Sequence, residues 1–269
     1  MADGDAALTL DEAVDLTRTG DIWIFRGRSI ADRAIQTMTN SPVNHVGMAV
    51  VIDDMPPLMW HAELGKSLPD MWTGQHQRGV QLHDLRAAVV QWQHRYGQRA
   101  WLRQLTPEVV RDQEDALLRA IARLDGVPFP GTVRMAARWL KGRDGHVYPR
   151  EEAEREVRPE LAYCAEVVAA TMIEMGLLKP DFAIASYDPG TFWSGDRLPL
   201  ARGWALGREL AVAADAAPDG DPHGDPAGGS TGRPDGSSPG ILDTLRGAGS
   251  DAIGRLRGLV PGRGRPDPG

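Results

Sequence analysis

The strongest constraint on this chain is a break in composition near Ala213. Before it, apolar residues recur with clear periodicity. After it, AAPDGDPHGDPAGGSTGRPDGSSPG is mostly Pro, Gly, Asp and Ser, with almost nothing to bury. Such a segment cannot offset its ordering entropy and is expected to be disordered. The expected division is therefore an N-terminal helical extension over 1–19, a folded domain over 20–212 and a tail over 213–269. Within the tail, Ile241, Leu242, Leu245, Ile253, Leu256, Leu259 and Val260 have roughly helical spacing, and Arg246, Arg255 and Arg257 add positive charge. That pattern suggests a short basic amphipathic helix able to touch a partner or a membrane surface. Gly247, Gly249, Gly254 and Gly258 weaken it by up to about 1 kcal/mol each, so a mostly unstructured tail is the expectation.

The periodic part reads as helices flanking a group of strands. A short helix is expected over Leu10–Arg18 and a brief strand over Asp21–Phe25. A helix capped by Ser29 should run to Thr39 and break at Asn40-Ser41-Pro42. His45–Ile52 and Leu58–Ala62, joined by Asp53-Asp54-Met55-Pro56-Pro57, read as an antiparallel hairpin. Val80–Leu82 and Ala100–Leu105 are further strands, with a helix over Leu85–Trp92 between them. Thr106-Pro107-Glu108 looks like a cap followed by Pro at the first helical position, opening a helix to Leu124 that ends at Gly126. Helices are expected over Thr132–Leu140 and Leu161–Met175, and two short strands near Phe182–Ser186 and Trp204–Leu210. The strands do not alternate with helices as βαβ units would. The expected class is therefore α+β, an antiparallel sheet flanked by helices.

Composition narrows the partners. The net charge of −7 opposes a phosphate backbone, so nucleic acid is not expected as a partner. No stretch reaches the apolar length of a transmembrane segment. The N-terminus, MADGDAALTL, shows no apolar core of a secretory signal. The single cysteine permits no internal disulfide and fits a reducing compartment, so a cytoplasmic location is expected.

That cysteine, Cys164, sits at the start of an apolar helical run, CAEVVAATMIEMG. A thiol there is either a small buried hydrophobe, the commoner case, or a nucleophile. Backbone N–H groups at a helix start favour the thiolate, the reactive form. A thiol nucleophile also needs a base within hydrogen-bond reach and a third polar group to hold that base. Of seven histidines, His45 is the candidate base, because it opens an apolar strand directly after a Ser-Pro turn, NSPVNHVGMAVVI. Across the hairpin His61 can orient it, and Glu63, two residues on and on the same face, can substitute if the register shifts. His76, His83, His94, His146 and His223 have polar or loop surroundings and read mostly as surface residues. Trp72 and Trp193 could line an apolar groove; packing is the commoner role for each tryptophan.

Further segments carry a resemblance. GDIWIFRGRSIADRAIQTMTNSPVNHVGMAVVID resembles the opening of permuted NlpC-type, papain-like cysteine hydrolases, in particular the YiiX/YebB-like branch. YCAEVVAATM resembles the branch's nucleophile helix, with Ala165 where serine is usual. LDGVPF and SYDPGTFW are similar to its later segments. The likeness covers roughly residues 20–210 and includes the order His before Cys, the reverse of papain. It implies a circularly permuted papain-like domain, with Cys164 as nucleophile, His45 as base and the third polar position at or next to His61. A histidine there is similar to the lecithin-retinol-acyltransferase-like relatives, whose Asn-Cys-Glu-His pattern this chain lacks. Tyr163, just before the nucleophile, would contribute to the pocket.

No G-x-S-x-G elbow, Walker loop, G-x-G-x-x-G, H-E-x-x-H or cysteine pair occurs, so no cofactor and no metal is expected. The expected activity is cysteine-dependent hydrolysis of an amide or ester through a thioacyl intermediate, on a small-molecule, peptide or acyl-lipid substrate. The rivals are a lipid acyltransferase or thioesterase using the same pair, and a non-catalytic binding or effector module on the same fold.

Overall fold

A computed structural model describes residues 7–28, 41–52, 55–63, 68–128, 164–194 and 198–214. Its centre is a six-stranded antiparallel sheet. The strands are β1 (Ile22–Arg26), β2 (His45–Val50), β3 (Leu58–Glu63), β4 (Gly79–Asp84), β5 (Arg99–Arg103) and β8 (Leu210–Val212), in the order β4-β3-β2-β1-β5-β8. Two short strands, β6 (Leu105–Thr106) and β7 (Ala205–Leu206), pair separately. The helices are α1 (Leu10–Leu16), α2 (Leu85–Val90), α3 (Arg111–Leu124) and α4 (Cys164–Glu174). The architecture is thus a mixed α/β fold with an antiparallel sheet and helices. None of the described helices is long and apolar enough to cross a membrane.

Alternation along the strands sends side chains to two cores. Ile22, Ile24, Val46, Met48, Val50 and Trp60 pack on one face, under α3 and α4. Trp23, Phe25, Ala49, Met59 and Leu102 pack on the other, under α1, α2 and a π-helical turn over Gln91–Arg95. Helix α4 is covered on more than one side, and every residue from Cys164 to Met172 is buried, mostly apolar but with Glu166 and Thr171 among them. Its polar anchor is Thr171, whose Oγ1 donates to the Val167 carbonyl at 2.7 Å and accepts from Trp60 Nε1 of β3 at 3.0 Å.

The hairpin formed as expected, with Met48 opposite Trp60 and Val50 opposite Leu58. Three expectations are corrected. Thr106-Pro107 does not open a helix: Thr106 pairs with Ala205 in the small sheet, and α3 begins at Arg111, where the Gln113 side chain accepts from the Val110 N–H at 3.1 Å. Residues 182–186 are not a strand but hold a 3₁₀ turn over Ile184–Ser186, closed by the Ser186 hydroxyl on the Ala183 carbonyl at 2.6 Å. The helix after Leu85 changes to the π-helical turn at Gln91, which brings Trp92 back over the sheet. The expected helices over 29–39 and 132–140, the start of that at 161–163, and the tail beyond 214 lie outside the described residues.

Candidate functional site

The approach to β2 is pinned before His45 is reached. Ser41 Oγ donates to the Val43 carbonyl at 2.7 Å and accepts the Val43 N–H at 3.1 Å, a local turn of the kind Ser favours. Gly190 lies against it: a Cβ there would fall 2.6 Å from Ser41 Oγ. Asn44 is buried, accepts the Gly27 N–H through Oδ1 at 2.6 Å and donates its own N–H to the Phe25 carbonyl at 3.0 Å. These contacts place His45 opposite Phe25 at the end of β1.

The His45 ring lies on the face that carries Phe25 and Trp92, with centroids 5.8 Å and 4.8 Å away. Trp92 also touches His61, at 5.0 Å, and so wedges both rings. His45 Nε2 meets His61 Nδ1 at 3.0 Å, so the strands do bring these two histidines together. Gly47 makes the approach possible: a Cβ on it would lie 2.3 Å from Met59 Sδ and 3.4 Å from His61 Cβ. Glu63 ends β3 opposite Gly79, partly exposed, while the ring nitrogen it would have to serve is occupied by His61.

The structure extends this pair. His61 Nε2 meets His83 Nδ1 at 3.1 Å, and His83 Nε2 meets Gln81 Oε1 at 3.1 Å. His61, Gln81 and His83 are all fully buried. The expectation that His83 is a surface residue is therefore wrong. Its polar neighbours in sequence, Gln81 and Asp84, alternate across β4; Gln81 faces inward with it, while Asp84 caps α2. The available signal was the spacing Gln81-x-His83 in a strand whose Val80 and Leu82 point to the other face. His76 and His94 are exposed as expected, and His146, His223 and Tyr163 lie outside the described residues.

Cys164 lies on the opposite side of the sheet, in the core under α4, and is 6% exposed. Its sulfur does not hydrogen-bond to His45 among the described residues. It sits instead beside the backbone N–H of Val46, the residue next to His45, and of Cys164 and Ala165. Burial pushes the thiol up to about 11, against those three N–H groups, which favour the thiolate. Burial lowers His45 to about 3, helped by the neighbouring His83, and lowers His61 well below the ordinary imidazole range. His83 falls to about 4, again by burial first, with His76 adding and the Leu68 carbonyl opposing. At neutral pH the site thus holds a thiol and three uncharged imidazoles. Among the described residues no group of His, Cys, Asp and Glu is arranged to hold a metal ion.

Among solved structures, the chain is similar to one described as the metalloprotein YiiX from Escherichia coli O157:H7. The identity is 19%, the TM-score 0.38, and the match covers 58% of this chain and 64% of that one, under two thirds of its length. No protein-family model matches the chain, and no curated protein matches it.

Proposed function

We propose that the protein is a cysteine-dependent hydrolase of an amide or ester bond, on a circularly permuted papain-like domain, with Cys164 as nucleophile, His45 as base and His61 holding His45. One observation carries the reading. The sulfur of the sole cysteine rests on the N–H of Val46, adjacent to a histidine whose Nε2 is already held by a second histidine. His45 Nδ1 has no hydrogen-bond partner among the described residues, so it is the nitrogen left to take a proton. The thiol proton passes to that Nδ1 as sulfur forms its bond to the substrate carbonyl carbon. The leaving group departs with that proton. Water then attacks the thioacyl carbon, gives a proton to His45, and the freed sulfur recovers it. The N–H groups of Val46, Cys164 and Ala165 are suited to hold the oxyanion formed in each step. A lipid acceptor in place of water would make the same site an acyltransferase.

A second reading is favoured by a different observation: the thiol is buried and raised to about 11. That is what a packed, inert cysteine in a binding module would show. Alkylation of Cys164 with iodoacetamide separates the two, because no other cysteine contributes. An uncharged thiol–imidazole pair reacts at a rate independent of pH between the two pKa values. The expected outcome is faster alkylation in wild type than in His45→Ala at every pH below the thiol's own range, with the rate in His45→Ala following the thiolate fraction alone. Superimposable profiles for wild type and His45→Ala would establish the binding module instead.

A further inference from the structure

We propose that Gln81 and His83 are positioning residues that fix the tautomer of His45 through a chain of buried imidazoles, leaving Nδ1 of His45 without a proton. The inference rests on the reading of His45 as the base of Cys164.

Gln81 Nε2 donates to the Gly79 carbonyl at 3.2 Å, which fixes the orientation of the amide and turns Oε1 toward His83. Flipping the amide would set two oxygens against each other at the Gly79 end. An amide oxygen has no proton to give, so the proton in the 3.1 Å contact with His83 belongs to His83 Nε2. A neutral imidazole carries one N–H, so His83 Nδ1 is an acceptor. The proton in its 3.1 Å contact with His61 therefore sits on His61 Nε2. By the same rule His61 Nδ1 accepts, and the proton in the 3.0 Å contact sits on His45 Nε2. His45 Nδ1 is then left bare. Along these ring contacts each step has one assignment that gives one donor and one acceptor, and the Leu68 carbonyl beside His83 draws on that ring's single N–H as well.

The residues come from three neighbouring strands. His61 stands directly across from Gln81, and His83 across from Met59, so all four side chains share one face. Trp92 packs on both His45 and His61. Gln81, His61 and His83 are fully buried, where a ring with two donors facing each other would cost far more than one correct tautomer. The terminal group is an amide and not a carboxylate. It selects the tautomer while adding no charge, which agrees with a site that rests uncharged.

The test reads protons directly. Full-length protein labelled with ¹⁵N in histidine, assigned with His45→Ala, is examined by long-range ¹H–¹⁵N correlation at pH 7. Wild type is expected to show His45 protonated at Nε2 and bare at Nδ1. His83→Leu, which removes the acceptor for His61, is expected to mix the His45 tautomers and slow Cys164 alkylation about tenfold, the scale at which losing an outer partner of a histidine acts. His83→Asn, whose side-chain oxygen can stand where Nδ1 stood, is expected to restore both. Should His83→Leu fail to fold, Gln81→Met removes one of the two acceptors beside His83, the Leu68 carbonyl being the other, and is expected to move the same readouts in the same direction by a smaller amount. A proton on His45 Nδ1 in wild type, or a tautomer unmoved in every variant, overturns the proposal. A bare Nδ1 together with alkylation indifferent to His45→Ala leaves the tautomer assignment standing and removes the catalytic reading.

Discussion

At the scale of the residue, the site depends on absent atoms as much as on present ones. Gly47 has no side chain where Met59 and His61 cross β2; its own φ is ordinary, so the requirement is space. Gly47→Ala is expected to force Met59 aside, costing about 1–3 kcal/mol as overpacking does, and to displace His61 from His45. Urea unfolding measures the first effect and the His45 imidazole resonances the second. The histidines themselves make another prediction. With His83 lowered to about 4 and His45 to about 3, neither should titrate near 6.5, whereas protein unfolded in urea should titrate there. A midpoint near 6.5 for His45 in the folded protein would mean that water reaches the ring freely.

At the scale of the element, two polar contacts hold apolar layers in register. Thr171 gives Trp60 the acceptor that its buried N–H requires. Thr171→Val keeps the shape and removes the oxygen, so it is expected to cost about 1–3 kcal/mol, the penalty of one buried orphaned donor. Serine at the same position should recover most of it. Arg103 does comparable work at the other end of the sheet. Its guanidinium donates to the carbonyls of Gly207 at 2.7 Å and Leu206 at 3.3 Å and to that of Phe192, and lies 3.7 Å from Glu209. The side chains of Arg103 and Glu209 are 9% and 10% exposed. Arg103→Met leaves three carbonyls without this donor and Glu209 without its cation, the carboxylate keeping its bonds from the Ser194 N–H and hydroxyl, and is expected to cost about 3–5 kcal/mol, the range for breaking a buried pair. Hydrogen exchange should accelerate first in β7 and β8, which those contacts tie to β5.

At the scale of the whole molecule, acid acts through opposed groups. Each of His45, His61 and His83 has a folded-state pKa below its unfolded value. The unfolded chain therefore takes up the proton first, and stability is lost as pH falls below about 6.5. Asp21 and Asp125 work the other way. Burial raises them to about 6 and about 7, against backbone N–H groups of Arg18 and Leu105 for Asp21, and with the charge of Asp70 adding for Asp125. They protonate first in the folded state and recover stability as pH falls. Three against two leaves the described residues losing stability by roughly one proton's slope between pH 6.5 and 4.5. Asp125→Asn removes one opposing group and is expected to steepen that slope, as measured by urea midpoints at a series of pH values.

Much of this protein was legible in its sequence because the signals were local. The β2–β3 hairpin followed from two apolar runs around a Pro-containing turn, and the buried α4 from a largely apolar stretch ending at Gly176. His45 stood out as a histidine placed at the start of a strand. Thr106-Pro107 misled because a cap-like dipeptide competes with strand pairing, and Ala205, a hundred residues away, decides the outcome. His83 misled for the same reason: polar neighbours suggested a surface, and only the β3–β4 register shows that Gln81 faces inward with it. Local patterning fixed the hairpin and most of the described helices and strands, and it singled out Cys164 and His45 as candidates, since these signals come from neighbours along the chain. That a glutamine lies at the end of a chain of three histidines, and that the cysteine meets β2 at Val46 from the opposite face, follows from burial and cross-strand register, which contacts between distant segments set.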